Sequence, residues 1–218
     1  MSEIITRLFD SFSDAERAVI ALEGAGVPKG DISLVAHEAN ARKDAPAAVR
    51  EPRSFTTGEA AASEAAVGAV ATGAAGAAAG ALAGLGLIAV PGLGPVIAAG
   101  WLASLAVGAA TGVAVGAVGG GLLGALTNAG VSEQEAHVYA EAVRRGGTLV
   151  SAKVADDKKA AAMAALADAP YVDIARRGAE YRAAGWTAFD PAAAPYTPDE
   201  VVREREIYVV TETPRPLP

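Results

Sequence analysis

From Ala65 to Ser132 the chain carries no charged side chain, and small residues recur there every fourth position. Gly76, Gly80 and Gly84 form one row, extended backward by Thr72 and Gly68. Gly108, Gly112, Gly116, Gly120 and Gly124 form a second, with Ser104 in register before it. Residues four apart share one face of a helix. A glycine row on that face lets a second helix approach to backbone contact, as in packed membrane helices. Each glycine costs a helix roughly 0.8–1 kcal/mol relative to alanine, so such rows melt in water unless something enforces the helix. A bilayer does so, because unpaired backbone groups are costly in hydrocarbon. The core of a tightly packed oligomer is the alternative.

The two rows are separated by "PGLGP". Pro91 and Pro95 interrupt a continuing helix, and Gly92 and Gly94 tolerate positive φ. The spacing therefore predicts a helical hairpin with arms over 64–90 and 96–128 and its turn at Pro91, Gly92, Gly94 and Pro95. Each arm exceeds the twenty or so residues needed to span a bilayer. Both ends of such a hairpin face one side, and Trp101 lies where an interfacial aromatic would sit. The first arm is rich in Ala and Gly before Leu82, so it would enter lipid only beside the Val- and Leu-richer second arm. Low-complexity filler is the weakest reading, since the glycine register persists over several helical turns.

The flanks have a different grammar. Ile4, Ile5, Leu8 and Phe9 read as a strand, "SDAE" at Ser13–Glu16 as a capping box, and "DISLVA" as a returning strand. The pattern recurs downstream. Leu149, Val150 and Val154 begin it, Asp156 caps a helix, and Val172 and Ile174 fall in its closing strand. Two such units combine into a βαββαβ sandwich. The expected fold class is thus α+β, a ferredoxin-like βαββαβ domain with a long glycine-zipper helical hairpin inserted between strands 2 and 3. The first βαβ half covers 1–38, a polar linker 39–64 and the apolar hairpin 65–128. A connecting helix, capped by Ser132 and Glu135, and the second half cover 129–178. A C-terminal tail covers 179–218, with a short helix starting at "TPDE" and an "EIYVV" run suited to an edge strand.

Little in the chain points to catalysis. It has no cysteine, which removes disulfides and thiolate chemistry. A net charge of −7 without a basic cluster argues against nucleic acid. The N-terminus lacks the pattern of a secretory signal. The glycine-rich runs lack the strand–loop–helix context of phosphate loops. His37 and His137 have no carboxylate beside them in a catalytic pattern, so they read as packing or surface residues. Asp156-Asp157 and Asp199-Glu200 stand at helix starts, where the macrodipole favours acids. Arg144-Arg145 reads as charge at a helix C-terminus and Arg176-Arg177 as a solvated strand end. Beside a membrane hairpin, either pair could instead meet anionic headgroups. No catalytic residue, cofactor or metal is expected.

Three stretches together, "LFDSFSDAERAVIALEGAGVPKGDISLVA", "VPGLGPVIAAG" and "AHVYAEAVRRGGTLVSAKV", resemble a group of bacterial proteins. These are the general stress proteins, also called low-temperature-induced or heat-induced stress proteins. The resemblance covers about residues 3–178, and its most specific pieces are Pro91–Pro95 and Tyr139–Val150 with Gly146-Gly147. It implies a stress-associated, non-enzymatic protein, often membrane-associated through its hydrophobic centre, and supplies no catalytic residues. The expected partners are other copies of the chain, with a lipid bilayer as a further one. The expected location is the cytoplasmic side of the inner membrane, or the cytoplasm as a soluble oligomer. A ligand-sensing module built on the sheet domain is the rival function.

Overall fold

The computed structural model describes residues 2–44, 53–54, 86–90, 92–103 and 121–212. Their strands are β1 (Ser2–Phe9), β2 (Ile32–His37), β3 (Arg53–Ser54), β4 (Gly86–Val90), β5 (Gly94–Ala99) and β6 (Thr148–Ala155). The helices are α1 (Phe12–Gly24), α2 (Glu38–Asp44), α3 (Leu122–Asn128), α4 (Glu133–Arg144), α5 (Lys159–Ala167), α6 (Ile174–Ala183) and α7 (Pro198–Glu212). The fold is mixed α/β around an antiparallel sheet. The strands stand in the order β1-β6-β2-β5-β4-β3, and only β3 runs parallel to its neighbour.

Alternation along the strands divides the core between two faces. On one, Ile5, Phe9, Leu34, Ile97 and Val150 meet Phe12, Val19 and Leu22 of α1 and Leu166 of α5. On the other, Leu8, Val35, Val96 and Leu149 meet α3, α4 and α6 through Leu126, Val143 and Tyr181. The sheet is therefore covered on both sides. Polar groups between strands are paired: Thr6 and Ser151 share a 2.9 Å hydroxyl bond. Ser33 donates to the Ala99 carbonyl at 2.7 Å and accepts the Leu102 amide at 3.2 Å.

Helix starts follow local chemistry. Ser132 accepts the Glu135 amide at 3.3 Å and donates to its carboxylate at 2.5 Å, the cap expected for α4. In α1 the cap is Ser11, which accepts the Asp14 amide at 3.1 Å, and not Ser13. "SFSD" and "SDAE" offer overlapping caps, and burying Phe12 completely selects the earlier one.

Four expectations change. The "PGLGP" centre joins two strands, not two helices: 86–90 and 94–99 pair as a hairpin, from Val90↔Gly94 to Gly86↔Ala98. "GLIAV" and "GPVIAA" are short apolar runs whose pattern suits strand and helix equally. The edge of β2 decides between them, pairing with β5 from Leu34↔Ala99 to His37↔Val96. The closing strand expected at Val172 and Ile174 shrinks to one antiparallel bridge, in which the Val172 amide donates to Leu8 O at 2.8 Å. Asp173 then accepts the amides of Ala175 and Arg176 at 2.9 and 3.0 Å and starts α6. That helix crosses the boundary drawn at residue 178. Last, "EIYVV" lies within the fifteen-residue helix α7 and adds no strand.

Of the glycine rows, Gly76, Gly80, Gly84, Gly108, Gly112, Gly116 and Gly120 lie outside the described residues, as does Pro91. Gly124 is buried within α3. Among the described residues no helix is long and apolar enough to cross a membrane.

Candidate functional site

The feature that gathers most of the unusual residues is the β4–β5 turn and what rests on it. Gly92 and Gly94 adopt φ +74° and +78°, the left-handed region where a side chain is strained. They also lie against another part of the chain. A Cβ on Gly92 would stand 2.7 Å from Pro191 Cα and 2.8 Å from Asp190 O, and one on Gly94 would stand 2.6 Å from Pro195 Cβ. The turn is bare because the C-terminal tail runs directly over it.

Helix α4 supplies the other wall. His137 Nδ1 accepts the Phe189 amide at 3.2 Å, so the neutral ring carries its proton on Nε2. Phe189 buries its ring in the cluster that holds Val90, Leu93 and Val96. Asp190 folds the next turn by accepting the Ala192 amide at 2.8 Å. Arg144 donates to the Ala194 carbonyl at 3.1 Å and lies 4.7 Å over the Tyr196 ring. Arg145 stands over Tyr181 at 4.4 Å and Tyr196 at 5.9 Å, and donates to Glu204 of α7 at 3.1 Å.

Beneath these arginines sits Glu141, with no exposed surface. An unpaired carboxylate there would be heavily penalised. It accepts from Arg145 Nε at 2.7 Å and Arg144 Nη1 at 3.3 Å. Burial works against the charge on Arg145, but the hydrogen bond and charge of Glu141 outweigh it and hold its pKa above the usual arginine range. Glu141 thus fixes two guanidinium groups in place, and they in turn hold the tail.

A second ion pair anchors α6. Arg177, 3 % exposed, meets Asp10 in a bidentate fork at 2.9 and 2.8 Å. Arg176 is exposed and reaches Glu180 at 3.8 Å. Arg176 and Arg177 lie in the first turn of α6 and not at a strand end, while Arg144 stands in the last turn of α4 with Arg145 capping it, the helix C-terminus expected for that pair. Arg144 and Arg145 are engaged by protein groups, Glu141, Ala194 and Glu204.

The remaining chemistry-bearing groups lie elsewhere. His37 is 2 % exposed, accepts the Ala39 amide at Nδ1 and leaves Nε2 unpaired. Asn40 donates to Gly146 O at 2.6 Å and leaves Oδ1 unpaired. A shallow groove of about 190 Å³ is lined by Thr6, Val131, Glu135 and Tyr139. There the Tyr139 hydroxyl donates to Thr6 O at 3.3 Å, and burial pushes its pKa up to about 12. No cluster of three His, Asp or Glu able to hold a metal occurs among the described residues.

Sequence reading singled out Gly92, Gly94, His137 and the Arg144-Arg145 pair, but for other reasons. It missed Glu141, Phe189 and Tyr196. The mix of Pro, aromatic and charged residues after Gly178 is the signal that marks the tail as a segment that wraps or docks. No family model matches the chain, and no curated protein or solved structure matches it either.

Proposed function

We propose that this chain is a non-enzymatic, stress-associated protein that acts by self-association through its glycine rows. The observation that carries the reading is the β4–β5 hairpin. Its open end brings Gly86, where the first glycine-rich stretch rejoins the domain, opposite Ala98, shortly before the second departs. The described residues nearest that end of the first row and that start of the second, Gly86 and Ala98, are thus neighbours, which suits pairing between rows. Glycine's helix penalty still demands an enforcing partner, and a row on another copy supplies one.

Tethering favours protein over lipid as that partner. Residues 104–120 leave just after Leu102, which is pinned to Ser33, and return at Gly121, where a Cβ would touch Val90 Cγ1 at 3.2 Å. The described residues flanking this stretch thus both rest on one sheet, Leu102 at β2 and Gly121 at β4. A single bilayer crossing would need them on opposite sides of a hydrocarbon layer about 30 Å thick. A helix over those residues would reach only about 26 Å at ~1.5 Å per residue.

The sheet domain that carries the hairpin is read as ferredoxin-like with its fourth strand reduced to the Leu8–Val172 bridge. The order β1-β6-β2 and the placement of α1 and α5 on one face support this. Helices α3, α4 and α6 then occupy the face such domains often leave open.

Sedimentation of the full chain without detergent, beside Gly112→Leu/Gly116→Leu, tests the reading. The wild type is expected as a multi-copy particle that the double variant breaks down or remodels. An unchanged particle size would sink it. Recovery of the wild type only with membranes, resistant to alkaline carbonate, would replace the partner copy by lipid.

A further inference from the structure

We infer that the tail from Trp186 onward is a releasable strap that restrains self-association by covering the β4–β5 turn. The inference rests on the self-association reading above and adds the control of that site.

What the strap covers makes the case. Leu93, at the tip of the turn, has no exposed surface, and Val90 has 5 %. Phe189, Pro191 and Pro195 close over this turn. Val90 also touches the point where the chain re-enters at Gly121. Lifting the strap would bare an apolar turn directly beside the base of the second glycine row. Such a patch favours association, because apolar surface withdrawn from water stabilises a contact roughly in proportion to its area.

How the strap is held makes it releasable. Between Trp186 and Tyr196 it forms no strand pairing. Its grip includes the buried Phe189 ring, Trp186 against Tyr181, the His137–Phe189 and Arg144–Ala194 hydrogen bonds, van der Waals contact on two glycines and arginine stacking on Tyr196. Each bond exchanges for one with water at small net cost. Beyond it, α7 adds the Arg145–Glu204 pair and the buried Val201. The elements that would stay behind have their own anchors. Helix α6 is fixed to the sheet domain by Arg177–Asp10, and both arginines of α4 stay bonded to Glu141 when the tail departs, their remaining positive charge facing the water that replaces it. Release therefore strands no buried charge.

The test uses the full chain carrying Phe189→Ala/Tyr196→Ala, with Arg144→Gln as a second variant that leaves the core ring in place. Two quantities are read: the rate of protease cleavage within 186–197, and the concentration at which the chain half-assembles. Loss of the anchors is expected to raise cleavage and lower the half-assembly concentration by about tenfold each, and Arg144→Gln to move both the same way by less. Faster cleavage with unchanged assembly overturns the strap while leaving self-association standing. Unchanged cleavage in both variants overturns it as well, since the named contacts would not be what holds the tail. No assembly by wild type or variants at any concentration removes the self-association reading and the strap with it.

Discussion

His37 ends β2 with its ring buried and Nδ1 turned back to accept the Ala39 amide, so it serves as the side-chain cap of α2. Desolvation lowers its pKa, partly offset by the neighbouring charge of Glu38. The native state thus resists a proton that the unfolded chain accepts near the ordinary histidine value. Stability is full above that value and falls as the pH drops below it, at no more than about 1.4 kcal/mol per pH unit for a single group. His37→Asn keeps an acceptor for the Ala39 amide but cannot titrate. Urea midpoints taken at about pH 7.5 and about pH 5.5, the range that brackets the ordinary histidine value, should fall for the wild type and fall less for the variant. Equal declines would show that His37 is not the group responsible. None of this could be read from the sequence, where a lone histidine at a strand end looks the same whether buried or solvated. Burial is a property of what β5 and the packed helices bring to it.

At the level of elements, signals confined to a few adjacent residues were legible and those needing a distant partner were not. The caps of α4 and α7 are read directly from Ser132…Glu135 and Thr197…Glu200. In α7 the Glu200 carboxylate accepts the Thr197 amide and hydroxyl, both at 2.8 Å, while Thr197 Oγ1 accepts the Glu200 amide at 3.4 Å. Those hydrogen bonds hold the Glu200 pKa below the ordinary carboxylate value. The cap is therefore intact above the usual carboxylate range and is lost as pH falls through that lowered value. Thr197→Ala should speed amide exchange in the first turn of α7 about three- to tenfold at neutral pH. Glu200→Ala should remove the acid sensitivity of those amides, and exchange rates matching the wild type in both variants would exclude the cap as a determinant of α7. Strands β4 and β5 show the opposite case. Their glycine-flanked apolar runs fit the helical register of the rows on either side, and only the pairing of β5 with β2, and of β4 with β5, reveals them as strands. Asp173 similarly outcompetes the strand tendency of "YVDI" by satisfying two helix-start amides at once.

In the whole molecule, one sheet serves as a platform whose two faces have different origins. The repeated strand–helix pattern of the flanks supplies α1 and α5 on one face, which is why that half of the fold was legible. The other face is built from α3, α4, α6 and the tail, elements that lie at or beyond the end of the glycine-rich stretches and are not part of one repeated unit. The clasp on the β4–β5 turn joins Gly92 and Gly94 to residues about a hundred positions later, and no local pattern encodes such a meeting. Because residues 104–120 depart from and return to the same platform, the platform should not depend on their identity. Replacing them with a Gly/Ser linker of equal length leaves the loop-closure entropy nearly unchanged. Such a chain should melt within about 4 °C of the wild type, the shift that a change of roughly 1 kcal/mol gives in a domain of this size, and should retain amide protection in β2 and β6. It should fail to assemble, because a Gly/Ser linker is a flexible coil and forms no helix on which glycines share one face. A collapse of the melting temperature would make this segment part of the core, and persistent assembly in a folded variant would move the self-association surface elsewhere on the platform.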